Sequence, residues 1–216
     1  PMLELMVERL KRVPSLDGIV IATTINDTDD PIVELANRLG VGCYRGSEDD
    51  VLLRVLDAAR FNNIDIIVQT TGDCPLIDPS LVEDCILDYL QGGADYVSNR
   101  LPRSFPIGMD TQVFATSVLA EIDERCKGAD DREHVSLAIY TEPTPYRLRH
   151  LTAPAHLSNP NLALTLDTAE DFLVIAEIFE ALYPDNPNFD LADILEYLHA
   201  NPKVATHNAH IQRKSD

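Results

Sequence analysis

Short apolar runs rich in β-branched residues alternate along this chain with stretches of helical periodicity, and that alternation leaves few folds open. Residues 18–24 (Gly-Ile-Val-Ile-Ala-Thr-Thr) are apolar on both faces, as in a strand covered above and below. A polar loop over 26–30 leads to a helix at 31–39, with Gly40 in the place that favours a left-handed helix end. The cycle recurs with a strand at 41–45, a Gly46-Ser47 turn and a helix at 48–60. The strongest strand follows at 64–70, then a helix at 79–90 ended by Gly92-Gly93. Strand, crossover helix, parallel strand predicts a three-layer α/β domain with a mostly parallel central sheet. Leu3, Met6, Val7 and Leu10 predict a leading helix from Pro1 onward. After a strand at 94–98 the rhythm breaks: 99–106 carries two prolines and two arginines and reads as an irregular excursion. Residues 108–114 read as extended. Helices are expected at 117–126, 131–140, 169–182 and 191–200, strands at 146–151 and 162–166, and a loose polar tail after Pro202.

The chain has 216 residues, enough for one well-filled domain. Its 17 basic and 36 acidic residues leave a net charge of −19, which repels nucleic acid and anionic membranes. A phosphate-bearing substrate therefore requires local arginines, backbone amides or a divalent cation. No apolar run approaches the roughly 20 residues that span a bilayer. The opening segment is amphipathic rather than a signal sequence, so a cytoplasmic location is expected. Cys43, Cys74, Cys85 and Cys126 form no Cys-x-x-Cys pair and the six histidines are scattered, which points to reduced thiols and no zinc.

Ligands of open α/β sheets bind beyond the carboxyl ends of strands, so the residues just after each strand are the candidates. Asp73 ends the most hydrophobic strand and follows Gly72, which allows close backbone approach. A carboxylate on a rigid strand end suits a hard cation such as Mg²⁺, although an aspartate there also suits a simple turn. Asp167 ends the 162–166 run and is a second oxygen ligand or, equally, a helix cap together with Thr168 and Asp171. Thr23, Thr24 and Asn26 are placed to hydrogen-bond a base or ribose, or to make a polar turn. Ser47 and the acids at 48–50 read mainly as helix-start residues. Arg100, Arg103 and Arg132 are candidate clamps for an anionic substrate and His134 a candidate general base; solvated surface explains each as well. Cys74 reads as a small packing residue, with no histidine beside it in sequence.

Seven segments in order, PMLELMVERLKR, IVIATTINDTDD, YRGSEDDVLLRVLDAA, TTGDCPLIDPSLV, DYVSNRLPRSFPIGMDTQVF, REHVSLAIY and LTLDTAEDF, resemble the spore-coat polysaccharide biosynthesis cytidylyltransferase-like family. That family is related to CMP-KDO synthetases and acylneuraminate cytidylyltransferases. The resemblance implies a Rossmann-like, GT-A-like nucleotidyltransferase fold, CTP as donor, Mg²⁺ and a homodimer. It implies that Asp73 of the Gly-Asp-x-Pro turn and Asp167 of the Leu-Asp-Thr turn are the metal carboxylates. Arg45, Gly46 and Ser47 would lie near cytosine and ribose, and Asn99, Arg100 and Asp110 would face the sugar and the dimer partner. Members of the family open with a strand and a glycine-rich basic loop that grips the triphosphate. Here Pro1-Met2-Leu3 matches the residues that follow that loop, so the domain, 1–216, is expected to lack its first strand and phosphate loop.

The expected reaction is attack of a sugar hydroxyl on the α-phosphate of CTP, with release of pyrophosphate, in glycan biosynthesis. A glycosyltransferase using a nucleotide-sugar is the first alternative, although Asp73-Cys74-Pro75 is not its usual Asp-x-Asp signature. A catalytically silent homologue serving as a binding subunit is the second. Acceptor specificity is expected to reside in 99–110 and 127–160.

Overall fold

The computed structural model describes residues 1–141 and 145–213. In chain order the elements are α1 (Met2–Leu10), β1 (Val20–Thr24), α2 (Asp30–Leu39), β2 (Gly42–Gly46), α3 (Val51–Phe61), β3 (Ile66–Gln69), α4 (Pro79–Leu90), β4 (Tyr96–Ser98), β5 (Gln112–Ala115) and α5 (Thr116–Arg125). They continue with α6 (Ala129–Glu133), α7 (Leu137–Thr141), β6 (Leu148–His150), α8 (Ala169–Leu182) and α9 (Leu191–Ala200). Where a cap is local the helix ends fall where they are expected. Gly40 closes α2 at φ 66°, a conformation that costs glycine no Cβ clash. Asp78 caps α4 by accepting from the Ser80 amide, with Pro79 at the first helical position.

The strands form two groups. β1 and β2 pair in parallel, and β3-β5-β4-β6 make a four-stranded sheet. Within the latter β3, β4 and β6 run the same way and β5 alone is antiparallel to its neighbours, so the sheet is mostly parallel with one reversed strand. Directly opposed residues share a face. Ile67, Phe114 and Tyr96 therefore lie in one row, and pack with Leu52, Leu56 and Ala59 of α3 and Leu119 and Ile122 of α5. Val113 and Val97 face the other way, into a cluster with Met6 and Leu10 of α1 and Val82, Cys85 and Ile86 of α4. A third cluster joins α8 and α9 to Leu76, Phe105, Met109 and Leu164.

Several expectations are corrected. β1 is not buried on both faces: of its residues only Thr23 is buried. In β3 only Ile67 is, and Ile66 is 38% exposed. The reason is topological. Each strand is paired along one edge only, and among the described residues β1 and β3 do not pair with each other. The same helices nonetheless cover both: α3 packs against β1 and β2 and shares a cluster with Ile67, while Ile19 and Val68 both pack on the cluster built from α1 and α4.

The expected helix at 131–140 is two short helices, broken where Val135 takes φ 49°. The helix expected from 48 starts at Val51, because Asp50 is its cap and accepts from the Leu53 amide at 3.0 Å. Residues 162–166 are extended but make a single parallel bridge, Ile107 to Ala163, instead of a strand. The tail is not loose: Val204 is buried, and buried Asn208 donates to the Ala163 carbonyl at 3.1 Å and to Asp171 Oδ1 at 2.7 Å. Residues 142–144, within the 127–160 stretch, and 214–216 of the tail lie outside the described residues. Among the described residues no helix is long and apolar enough to cross a membrane.

Candidate active site

The carboxyl ends of β3, β4 and β6 and the amino end of β5 meet along one rim, where Gln69, Gln112, Ser98 and His150 stand in a single row. Beyond β3 the chain turns, with the Cys74 amide donating to the Thr71 carbonyl at 3.2 Å. That turn presents the Asp73 carbonyl to the Leu166 amide at 2.8 Å. The 162–166 segment is held in place from its other side: Ile107 N donates to the Leu162 carbonyl at 2.9 Å, and Leu164 N to the Ile107 carbonyl at 2.8 Å. Gly108, at φ 99°, permits this approach, since a Cβ there would sit 2.7 Å from the Leu164 carbonyl oxygen. Two carboxylates from distant parts of the chain are thereby brought together. Burial raises the Asp167 carboxyl above its usual range, and the nearby charge of Asp73 raises it further, with Arg213 opposing both.

Asp167 is free of capping duty. Thr168 caps α8 and forms a reciprocal capping box with Asp171. Asp171 is fully buried, and its Oδ2 accepts from the Asp167 amide at 3.1 Å, the Thr168 amide at 3.0 Å and the Thr168 hydroxyl at 3.0 Å. Its Oδ1 accepts from Asn208 and from Arg213 Nη2. Burial pushes this carboxyl up, but the donors from Asn208, Arg213 and the backbone outweigh it and hold the group below the usual carboxylate range. Arg213 Nη1 completes the arrangement at 2.8 Å from Asp167 Oδ2. Sequence reasoning treated Asp171 only as a cap and Arg213 as part of a loose tail. The one signal for the latter was an arginine in an acidic chain.

The other candidates divide between two places. At the carboxyl ends of β1 and β2, Asp29 Oδ2 accepts from the Thr23 hydroxyl (2.7 Å), the Thr24 hydroxyl (2.7 Å) and the Thr24 amide (2.9 Å). Arg45 donates to the Thr24 and Asn26 carbonyls and to Asp30 Oδ1 at 2.7 Å. Gly46 is tightly packed, for a Cβ would meet Arg54 Cγ at 2.9 Å, and Ser47 Oγ accepts from the Asp50 amide. These residues build the rim with one another. Gly72 is exposed, with only Leu3 within 4 Å of an added Cβ.

Near Asp73, Arg103 grips Asp110 with both nitrogens at 3.0 Å, a fork-to-fork pair. Asn99 is buried, its amide donating to the Met109 carbonyl (2.7 Å) and accepting from the Thr111 amide (2.8 Å). Arg100 donates to the Tyr140 hydroxyl at 2.9 Å. Gln112 accepts from the Tyr96 hydroxyl at 2.7 Å and from Ser136, a buried polar pair of contacts that sequence reasoning did not anticipate. Arg132 lies elsewhere, pairing with Asp50 across α3 and with Asp123 of α5. His134 is exposed at the end of α6. Cys74 is buried, and burial, then Asp73 and Asp110 among its neighbours, push its thiol well above the ordinary range, as fits a packing residue. A cleft of about 530 Å³ at the opposite, amino-terminal end of β3 contains none of these candidates.

Residues 1–203 match the family model described as Cytidylyltransferase. The chain belongs to the cytidylyltransferase family. It is 37% identical over 213 residues to the protein MJ1063 of Methanocaldococcus jannaschii, a match spanning 99% of this chain and 86% of that one. It is 31% identical over 214 residues to the spore coat polysaccharide biosynthesis protein SpsF of Bacillus subtilis, spanning 95% and 86%. A solved cytidylyltransferase structure from Leptospira borgpetersenii serovar Hardjo-bovis superimposes with a TM-score of 0.89 at 30% identity, covering 99% of this chain and 88% of that one. The fold is thus the Rossmann-like nucleotidyltransferase fold, and this cytidylyltransferase is a nucleotidyltransferase.

Among its described residues no group of three or more His, Cys, Asp or Glu is arranged to hold an ion. An ion at Asp73 and Asp167 would have two carboxylates from the protein and its remaining oxygens from water and substrate. That donor set fits a hard divalent cation, which favours oxygen ligands and retains water and phosphate.

Proposed function

We propose that this cytidylyltransferase transfers CMP from CTP to a sugar or acidic sugar in polysaccharide or cell-surface glycan biosynthesis, releasing pyrophosphate. The observation that carries the proposal is the 2.8 Å bond from the Leu166 amide to the Asp73 carbonyl, which supports a joint role for Asp73 and Asp167 at one ion. Mg²⁺ bound there would supply neutralisation of the phosphate charge. In the transfer, the acceptor hydroxyl oxygen bonds to the α-phosphorus and gives its proton to solvent, the bond from that phosphorus to the bridging oxygen breaks, and pyrophosphate leaves with the electron pair. Thr23, Thr24, Arg45, Gly46, Ser47 and Gly72 form the nucleotide side in this reading. Asn99, Arg100, Arg103, Asp110 and His134 belong to the acceptor side, with Asn99 acting through the loop it braces. Positioning of both substrates is the main contribution these residues make to rate.

The same reading takes 1–216 as one nucleotidyltransferase domain. A cytoplasmic homodimer is the expected working form.

The test is pyrophosphate release by the full-length protein with CTP, Mg²⁺ and a panel of sugars, compared for wild type, Asp73→Asn and Asp167→Asn. Each substitution is expected to lower kcat/KM by about a hundredfold or more. A loss below about tenfold, or about 1.4 kcal/mol, in both would overturn the metal-carboxylate assignment. CTP binding without turnover on any acceptor would favour a binding subunit.

A further inference from the structure

Arg213 is a fork with one tine buried and the other at the rim. Nη2 is set on Asp171, which is 0% exposed and held by four other donor groups, whereas Nη1 meets Asp167, whose side chain is 51% exposed. The Arg213 side chain is only 16% exposed, and the tail that carries it is fastened by Val204 and Asn208 across the start of α8. One partner is thus permanent by burial and the other exchangeable by exposure. Other arginines near the strand ends also have internal partners: Arg45 has Thr24, Asn26 and Asp30, Arg54 has the Ser47 carbonyl, Arg100 has the Tyr140 hydroxyl and Arg103 has Asp110. A chain of net charge −19 needs a local cation to hold a polyphosphate.

Resting on the nucleotidyl-transfer reading, we propose that Arg213 is a nucleotide-binding residue that changes partner. Without nucleotide it neutralises Asp167. When Asp167 turns to a divalent cation, Nη1 loses its acceptor and becomes a donor directed at the triphosphate oxygens accompanying that cation, while Asp171 keeps the side chain in place. Two consequences of opposite sign follow. Arg213 competes with a bare cation for Asp167, yet supports the cation–nucleotide complex.

The experiment uses full-length wild type, Arg213→Ala and Arg213→Lys, with melting temperature as the check that each is folded. Free Mn²⁺ is titrated by electron paramagnetic resonance in the absence of nucleotide, and CTP is titrated calorimetrically with and without Mn²⁺. Arg213→Ala is expected to bind bare Mn²⁺ about five- to tenfold more tightly and CTP in the presence of Mn²⁺ about tenfold more weakly, with Arg213→Lys between it and wild type on both axes. A purely structural anchor would not produce that crossover. Folded Arg213→Ala with wild-type affinity for both probes overturns the proposal and leaves the two-carboxylate reading intact. A wild type that binds Mn²⁺ no better than the Asp73→Asn, Asp167→Asn double variant removes that reading, and this proposal with it.

Discussion

Gly108→Ala tests how the two carboxylates are brought together. The glycine has φ 99°, a conformation that costs an alanine about 1–3 kcal/mol. An added Cβ would lie 2.7 Å from the Leu164 carbonyl oxygen, 2.8 Å from its carbon and 3.1 Å from the Thr165 nitrogen. All three are backbone atoms, so no side chain can rotate away. Relief requires the 106–109 loop and the 162–166 segment to separate by roughly 0.7 Å or the glycine to change conformation, at about 1–3 kcal/mol more for overpacking. The combined destabilisation is about 2–6 kcal/mol, which in a domain of this size lowers Tm by roughly 4–24 °C. Leu166, two residues beyond Leu164, donates to the Asp73 carbonyl, so the displacement also loosens the carboxylate pair. Urea unfolding measures the first effect and pyrophosphate release, at a temperature where the variant is folded, the second; at least a tenfold loss of kcat/KM is expected. Gly18→Ala is the control, since nothing lies within 4 Å of its Cβ position. A Gly108→Ala protein within about 1 kcal/mol of wild type and fully active would refute the reasoning.

Asp171→Ala removes a fully buried carboxylate and takes one acceptor each from Asn208 and Arg213, and is expected to cost about 3–5 kcal/mol by denaturant titration. Increased hydrogen exchange at the start of α8 and in 201–213 should accompany it. Asp29 gives a pH signature: hydrogen bonds from Thr23 and Thr24 lower its pKa to about 2. Because the folded value lies below the unfolded one, its contribution is present above about pH 4 and is lost as pH falls toward 2. Amides of the 23–30 loop, corrected for intrinsic exchange, should lose protection across that window in wild type and show no such step in Asp29→Asn.

Elements whose signals lie within a turn or two of sequence were legible. The helices at 79–90, 169–182 and 191–200 occur with those bounds, since Asp78, Thr168 and Asp190 cap them locally and apolar periodicity runs their length. The direction of β5 was not legible: its alternation is the same whichever way it runs, and only pairing between β3 and β4 sets it. The break at Val135 was hidden because no glycine or proline within 131–140 marks the left-handed conformation that Val135 takes. Of the candidate site, Asp73 was legible as an acid beyond a strand and Asp167 as an acid beyond an apolar run. Their scaffold was not, since Asp171 reads locally as a cap and Asn208 and Arg213 as surface.

By itself the sequence determined the alternation of elements, their caps, the acidic surface and two isolated aspartates each followed by a helix start. Which of these groups share a neighbourhood was decided only by tertiary structure. Asp73 meets the 165–167 segment across more than ninety residues of chain, and Arg213 meets Asp167 across forty-six. Hydrogen-bond and packing partners at such separations depend on how layers stack, a property no local window of residues carries.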